Sequence, residues 1–176
     1  MIAGATKRCT ASLCRLVLLT ACVAAAACDT GSQAIDYGAV LHFDTVKVRV
    51  LTARDTIPLW VEIASSVEQR TMGLMERATM PDTAGMLFMY PSDQPATSGF
   101  WMFRTRIPLD IAFLDSAGTI VAIRNMPPCT AELAAGCPTY EPGVPYRAAL
   151  EVNAGYFERH GIVPGNRVMM PNVKAK

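Results

Sequence analysis

Residues 45–64 of the chain read Thr-Val-Lys-Val-Arg-Val-Leu-Thr-Ala-Arg-Asp-Thr-Ile-Pro-Leu-Trp-Val-Glu-Ile-Ala. Apolar and polar side chains alternate over residues 45–50, which is the pattern of a strand with one buried face. Residues 54–56 are typical of a turn, and residues 59–64 form a second run rich in β-branched and apolar side chains. The stretch therefore predicts a β-hairpin at the start of the domain.

The remainder of the chain shows the same spacing of short apolar runs separated by turn residues. Two short helices are predicted. The first begins at a capping box, in which Glu68 and Gln69 follow Ser65 and Ser66 by three residues each, and it ends at Gly73; the second covers residues 154–160 with Asn153 as its cap. Further strands are predicted at residues 85–90, 100–103, 109–114, 119–123, 146–152 and 167–170. The pattern indicates an all-β fold, a sandwich or partly open barrel of about seven or eight short strands with two short helices.

Composition excludes several classes of protein. Of the 176 residues, 51% are hydrophobic and 18% are charged, so the chain is not intrinsically disordered. The formal net charge of +1 gives no basis for predicting a nucleic-acid partner. No apolar run reaches the ~18 residues that a membrane-spanning helix needs.

Residues 1–28 differ from the rest of the chain. Their only charges are Lys7, Arg8 and Arg15, and a run of apolar and small residues follows up to Cys28. This order is typical of an export signal, with a buried N-terminal helix as the alternative. We expect residues 1–28 to be the signal, 29–43 a linker, and 44–176 a single β-rich domain.

The cysteine at the end of this run resembles the lipidated cysteine of a bacterial lipoprotein signal. Cys28 follows four alanines and precedes a polar linker, whereas Cys22 has the better-placed leucine, Leu19, three residues before it. We prefer Cys28, with Cys22 and simple cleavage after an alanine as alternatives. The predicted location is the periplasm or outer face of the cell envelope, with the membrane contacted through this lipid anchor.

Cys129 and Cys137 are the two cysteines outside the signal, and an even pair in an exported domain predicts a disulfide. The alternative is a zinc site completed by His42 and His160, but no CxxC or HxxxH spacing supports it.

No nucleotide-binding or hydrolase motif is present, so neither a metal nor a cofactor is predicted.

Four ordered sequence words carry a resemblance to a known family. They are Arg-Thr-Met-Gly-Leu-Met-Glu-Arg at 70–77, Gly-Met-Leu-Phe at 85–88, Phe-Trp-Met with Thr-Arg-Ile-Pro-Leu-Asp-Ile-Ala-Phe within 100–113, and Leu-Glu-Val-Asn-Ala-Gly at 150–155. The chain resembles the bacterial and archaeal family known as domain of unknown function 192. The resemblance implies a compact β-sandwich-like domain, often exported, and no established activity. The family usually has Lys-Asn where this chain has Phe103-Arg104.

The candidate ligand-pocket residues in these words are Arg70, Arg77, Trp101, Thr105, Asp110, Glu151 and Asn153. Packing in a core explains Trp101 but does not by itself explain the six polar residues. The polar members are interpreted either as salt bridges that join helix to sheet or as a pocket for an anionic or sugar-like ligand. A third hypothesis makes Asp110 and Glu151 the acid and base of a carbohydrate hydrolase.

Asp110 and Glu151 each lie between two apolar residues in a predicted strand. We expect the neighbours of the two acids to share one face and the two carboxylates to share the other. We further expect at least one of the two acids to pair below the surface with Arg70 or Arg77.

Methionine is abundant, with seven residues crowded between positions 72 and 126: Met72, Met75, Met80, Met86, Met89, Met102 and Met126. They are interpreted as filling gaps in a thin core, with a Cu(I) site as the alternative. The combined interpretation is an accessory or small-ligand-binding module of the cell envelope, with an enzyme as the less favoured class.

The anchor prediction is tested by replacing Cys28 with Ser and fractionating the cells. The variant is expected to leave the membrane fraction, because the thioether that carries the acyl chains can no longer form. Cys22→Ser is the matched control and is expected to remain membrane-bound. A membrane-bound Cys28→Ser protein would show that Cys28 is not the anchor.

Overall fold

The computed structural model describes residues 41–172, so the predicted signal and most of the predicted linker lie outside the described residues. Within this range the strands are β1 Thr45–Leu51, β2 Thr56–Ala64, β3 Ala84–Gln94, β4 Phe100–Trp101, β5 Leu109–Leu114, β6 Ile120–Met126, β7 Thr139–Tyr140, β8 Tyr146–Asn153 and β9 Arg167–Val168. The α-helices are α1 Val67–Met72 and α2 Tyr156–Arg159, and a 3-10 turn covers Ala134–Gly136.

Seven strands form one curled sheet in the order β6-β5-β8-β3-β2-β1-β9, and β4 pairs with β7 in a small second sheet. The fold is therefore mostly β, as predicted, and of the two architectures left open it is the partly open barrel. All pairings in the main sheet are antiparallel except β2–β3, which is parallel. Among residues 41–172, no helix has the length and apolar composition needed to cross a membrane.

The first hairpin is confirmed. β1 and β2 pair antiparallel from Thr45↔Glu62 to Leu51↔Thr56, and every second residue of β1 is exposed. The turn closes through the backbone N–H of Thr52, which donates to the carbonyl of Asp55 at 2.9 Å. Alternation thus fixes which face of this pair enters the core.

Helix α1 begins where the sequence predicts. The Ser66 hydroxyl accepts from the backbone N–H of Gln69 at 3.2 Å, and the Gln69 side chain accepts from the N–H of Ser66 at 3.0 Å. Gly73 ends the helix with a φ of +48°, in the left-handed half of backbone space that disfavours other residues. The helix connects β2 to the parallel strand β3, as such crossovers require.

The central strands bury both faces, so the core has two parts. The α1-side cluster contains Leu74 after α1 together with Met86, Phe88, Ile111 and Phe113 of the sheet. The α2-side cluster contains the α2 residues Tyr156 and Phe157 with the opposite sheet face, including Leu87, Ala112, Leu150 and Val152. Strands β5 and β8 therefore have no solvent-facing side at their centres.

Four of the crowded methionines pack into these clusters. Met86, Met102 and Met126 are fully buried on the α1 side, whereas Met89 is buried on the α2 side. Packing in two separate cores explains these four side chains, in keeping with the gap-filling interpretation.

Cys129 and Cys137 are joined by a disulfide with a Cα–Cα distance of 5.7 Å, which confirms the predicted pairing. The zinc alternative is wrong, because the sulfurs are bonded to each other. Among residues 41–172, no group of three or more His, Cys, Asp or Glu side chains could hold a metal ion. The bridged loop leads directly into β7, which pairs with β4.

Two predicted elements are shorter than expected. The second helix is Tyr156–Arg159 rather than 154–160, and Gly155 stands at its N-terminal boundary with φ +77°, so Asn153 is not its cap. Strand β4 stops at Trp101, and Arg104 in the following turn has φ +57°. Asparagine tolerates this left-handed conformation better than arginine does, which gives a physical reason for the asparagine that the resembling family usually has there.

Gly85 allows β3 and β8 to approach closely, and replacing it with Ala tests this contact. A Cβ at this position would lie 2.6 Å from the backbone carbonyl oxygen of Glu151 and 3.1 Å from Val152 Cγ1. Because neither strand can move without disturbing its own ladder, Gly85→Ala is expected to lower the free energy of unfolding by about 1–3 kcal/mol. The midpoint of urea denaturation measures the effect, and an unchanged midpoint would contradict the proposed steric constraint.

Candidate functional site

A cavity of about 110 Å³ opens to solvent on the α1 side of the sheet, where α1, β3, β4 and β8 converge. Its lining comes from the end of α1 and the turn after it, from the two sheets, and from the loop after β4. The lining residues are Arg70, Thr71, Met72, Gly73, Leu74, Met75, Phe88, Tyr90, Gly99, Phe100, Trp101, Thr105 and Glu151.

The crossover from β2 to β3 creates this cavity. Because β3 runs parallel to β2, the connecting helix must lie over one face of the sheet, and its C-terminal end comes to rest above Phe88. A Cβ on Gly73 would lie 3.3 Å from the Phe88 ring, so glycine allows the close approach. The short β4–β7 sheet forms the opposite wall, where Phe100 packs edge-on against Phe88 at a centroid distance of 5.0 Å.

Glu151 is the buried acid of this cavity. It lies in β8 opposite Met86 of β3 and Ile111 of β5, and only 4% of its surface is exposed. Within residues 41–172, no hydrogen-bond donor and no cation is paired with its carboxyl group, and burial raises the pKa of Glu151 to about 8. No side-chain oxygen or nitrogen in this range is both fully buried and without a partner, so the Glu151 oxygens still contact the cavity.

Thr105 and Trp101 occupy the same cavity. Thr105 is 6% exposed, and its side chain borders the cavity. Trp101 keeps 44% of its surface exposed, so its ring forms part of the rim. A buried hydroxyl and an exposed aromatic ring together provide one polar and one apolar contact for a bound molecule.

Arg70 lies on the wall formed by α1. Its Nη1 donates to the backbone carbonyls of Ser65 at 2.6 Å and Met89 at 2.9 Å, and its guanidinium carbon lies 4.9 Å from the centre of the Tyr90 ring. No ion pair joins Arg70 to Glu151, two residues that the structure describes, so the predicted pairing is wrong for these two residues. Burial raises the pKa of the Tyr90 hydroxyl, and the neighbouring Tyr146 hydroxyl raises it further, so the phenol stays neutral.

Asp110 lies on the other face of the sheet from Glu151. Asp110 is opposite Val152 in the β5–β8 register, whereas Glu151 is opposite Ile111, and directly opposed residues share a face. The expectation that the two carboxylates share one face is therefore wrong. A one-residue offset between strands reverses the facing of every side chain, and the sequence of each strand does not reveal that offset.

Asp110 is also fully paired, although with neither predicted arginine. Its Oδ1 accepts from Asn125 Nδ2 at 2.8 Å, and its Oδ2 accepts from the backbone N–H of Gly155 at 2.8 Å. The carboxylate thus caps α2 from a neighbouring strand and ties β6, β5 and α2 together. Since Asp110 and Glu151 point to opposite faces, they cannot flank one glycosidic bond, and the geometry does not support the hydrolase hypothesis.

Arg77 and Asn153 have structural partners outside the cavity. Arg77 makes two hydrogen bonds to the Glu62 carboxylate, at 2.7 and 2.5 Å, which raises the pKa of the guanidinium and joins the turn after α1 to β2. Asn153 Nδ2 donates to the Met80 carbonyl at 2.8 Å and to Asp82 Oδ1 at 3.2 Å. Four of the seven sequence candidates therefore line one cavity, and Arg77, Asp110 and Asn153 do not.

Sequence analysis missed Phe88, Tyr90 and Phe100, because each lies in an apolar run that reads as core. Of the three, Tyr90 carries a feature that the sequence shows, because its hydroxyl lies at the end of the apolar run.

Three other surface depressions of about 300–420 Å³ occur in the described part of the chain. None is lined by a buried polar residue, so the smaller cavity beside Glu151 is the candidate site.

The residues that build this cavity fall within a match to a protein family. A family model described as uncharacterized ACR matches residues 49–170, well over half of the chain. The chain belongs to the DUF192 family. All the lining residues from Arg70 to Glu151 are inside the matched range, so the cavity is part of the DUF192 domain. No curated protein matches the chain.

Two solved structures are similar to this DUF192 chain. One is the crystal structure of a proposed transcription regulator from Sinorhizobium meliloti 1021, with 36% identity, a TM-score of 0.66, and coverage of 73% of this chain and 95% of that one. The other is a protein of unknown function from Novosphingobium aromaticivorans DSM 12444, with 30% identity, a TM-score of 0.64, and coverage of 75% and 89%.

The raised pKa of Glu151 predicts a specific pH dependence of stability. Between the unfolded value of 4.5 and the folded value of about 8, the folded state binds one proton more than the unfolded state, so stability falls as pH rises. Relative to Glu151→Gln, the wild-type free energy of unfolding is expected to fall by about 2–3 kcal/mol between pH 5.5 and 7.5.

Urea denaturation at the two pH values measures this difference. Glu141→Gln is the matched control, because Glu141 is exposed and its variant should keep the wild-type dependence. Parallel curves for Glu151→Gln and wild type would mean that Glu151 is ionised in the folded protein at both pH values.

Proposed function

We propose that this DUF192 protein is an exported, lipid-anchored module of the cell envelope that binds a small ligand in the cavity beside Glu151. One observation carries the ligand-binding part of the proposal. Glu151 is almost fully buried, has no partner within residues 41–172, and borders an open cavity. A group in this position is available to a ligand.

The contrast with Asp110 supports a binding role for Glu151. Buried polar groups in proteins are nearly always hydrogen-bonded, because an unpaired one costs about 1–3 kcal/mol. In this sheet Asp110 is satisfied by two donors, which shows that the fold provides partners where a carboxylate stabilises it. Burial therefore disfavours the Glu151 carboxylate in the empty domain, and a ligand that pairs with this carboxylate would recover that loss.

The cavity favours binding over catalysis. Its described lining supplies one carboxyl group, two threonine hydroxyls, the Tyr90 phenol and the Arg70 guanidinium, and no histidine or cysteine. General acid–base catalysis of hydrolysis needs a second group that exchanges a proton near neutral pH, and activation of a hydroxyl needs an adjacent base. The raised pKa of Tyr90 keeps its phenol neutral, and the Arg70 guanidinium donates to backbone carbonyls. A pocket with a single acid among aromatic walls fits recognition of a small molecule or of one end of a larger one.

The envelope location is supported by two features. The sequence of residues 1–28 has the order of a lipoprotein signal, although it lies outside the described residues. The Cys129–Cys137 disulfide in the folded domain fits an oxidising compartment such as the periplasm. A tether of about 15 residues after Cys28 would separate the domain from the membrane surface.

Ligand binding is tested by thermal shift of the purified protein against small sugars, organic anions and organic amines. At least one class is expected to raise the melting temperature of wild type by about 5–10 °C at 100 times its Kd. The shift should persist in Glu141→Gln and disappear in Glu151→Gln. If no class shifts wild type, or if the shift survives in Glu151→Gln, this cavity is not the binding site.

A further inference from the structure

We propose that the cavity beside Glu151 takes an alkylammonium group, carried by a small free amine or by a lysine side chain. The inference rests on the proposed ligand-binding function and names the chemical class of its ligand. It stands on three features of the cavity: its unpaired carboxyl group, its aromatic walls and its size.

The carboxyl group requires a ligand that donates hydrogen bonds. Glu151 is the only acidic residue in the described lining, and no cation is paired with it. A buried carboxylate is stable only when a positive charge and donors compensate for the lost water. An ammonium group supplies one compact charge and three donors, and the Thr105 hydroxyl can accept one of them.

The aromatic walls favour a cation over an anion. Phe88, Tyr90, Phe100 and Trp101 line the cavity, and the face of an aromatic ring carries partial negative charge. Thr71 and Met72 are the last two residues of α1, and the dipole of a helix also favours positive charge at its C-terminal end. An anionic ligand would meet these groups with the wrong sign.

Arg70 is the positive charge already present, and its environment limits its effect. Its Nη1 donates to two backbone carbonyls and its guanidinium lies against the Tyr90 ring, so its charge is partly compensated at the wall. The other polar groups near Glu151 are Tyr90 of β3 and Thr105 of the loop after β4, and both are neutral. Tyr146 of β8 packs against Tyr90, with ring centroids 5.7 Å apart.

The volume limits the ligand to a few non-hydrogen atoms inside the cavity. At about 110 Å³ the space is well below the 300–1,000 Å³ of pockets that enclose whole cofactors or drug-sized ligands. A butylammonium chain is of the right scale, with its ammonium at Glu151 and its methylenes against the rings. A complete sugar ring would remain largely outside.

Binding releases a proton. The neutral Glu151 acid loses its proton to solvent, and the carboxylate then pairs with an ammonium group that stays protonated, because alkylamines titrate near pH 10. Affinity therefore rises as the pH approaches the pKa of Glu151. Between pH 6 and pH 8 the Kd for an alkylammonium ion is expected to fall roughly 50-fold.

The experiment compares three probes of equal chain length, butylammonium, butan-1-ol and butyrate, on the purified full-length protein at constant ionic strength. Trp101 fluorescence in a Trp60→Phe background reports binding, since the chain has two tryptophans and Trp101 lines the cavity. Butylammonium is expected to bind best, with the stated pH dependence. Glu151→Gln should weaken it at least 30-fold, and the matched control Glu141→Gln should not.

Each outcome separates this inference from the proposed function. If butan-1-ol or butyrate binds as tightly as butylammonium, or if a sugar or anion alone shifts the melting temperature, the amine assignment is overturned and the binding function stands. If neither these probes nor the sugar and anion panel bind, both fail. Tighter binding of Nα-acetyl-lysine-N-methylamide than of butylammonium supports a lysine side chain as the source, and equal binding supports a free amine.

Discussion

Strand β8 lies between β3 and β5 and is covered on both faces, and most of the structure depends on this constraint. In a sheet with one wet face, an acid within an apolar strand simply points to water. Here the α1-side and α2-side clusters close both faces, so a polar side chain at the centre of β8 or β5 needs a partner, a cavity or a changed protonation state. The close contact of Gly85 with the β8 backbone maintains the same pairing.

The two buried acids meet this constraint in different ways. Asp110 points to the α2 side, where Asn125 and the N–H of Gly155 satisfy it and where it anchors a helix. Glu151 points to the α1 side, where no group in the described chain satisfies it and its pKa rises to about 8. The pairing of Asp110 stabilises the fold. The burial of Glu151 lowers stability at neutral pH and leaves a carboxyl group without a partner in the described chain. Their chemistry is nearly identical, so the difference comes from their surroundings alone.

The cavity around Glu151 is assembled from segments that are far apart in the chain. The β2–α1–β3 crossover supplies one wall, the β4–β7 sheet beside the disulfide loop supplies another, and β8 supplies the acid. Strands β8 and β3 hold Glu151 and Tyr90, while the exposed ring of Trp101 in β4 forms part of the rim. Residues from several of the sequence words shared with the DUF192 family thus meet at one place, and this arrangement is the basis of the proposed recognition of a small group.

The sequence by itself determined the local structure. Alternation predicted the β1–β2 hairpin, the capping-box residues 65–69 predicted the start of α1, and the cysteine pair predicted the disulfide, because each depends on neighbours within about 20 residues. The sequence also singled out Arg70, Thr105 and Glu151, since polar residues in apolar words stand out without a structure, and it offered Trp101 as a candidate although an aromatic ring there is also explained by a core.

Only the tertiary structure decided how these elements face each other. The parallel β2–β3 pairing and the β5–β8 register are set by contacts between distant segments, and a shift of one residue in the β5–β8 register would put Asp110 and Glu151 on the same face. For that reason the arginine partners were predicted wrongly, with Arg77 bound instead to Glu62. A strand's sequence shows which residues alternate, but the packing of its neighbours determines which face is dry, paired or open to a cavity.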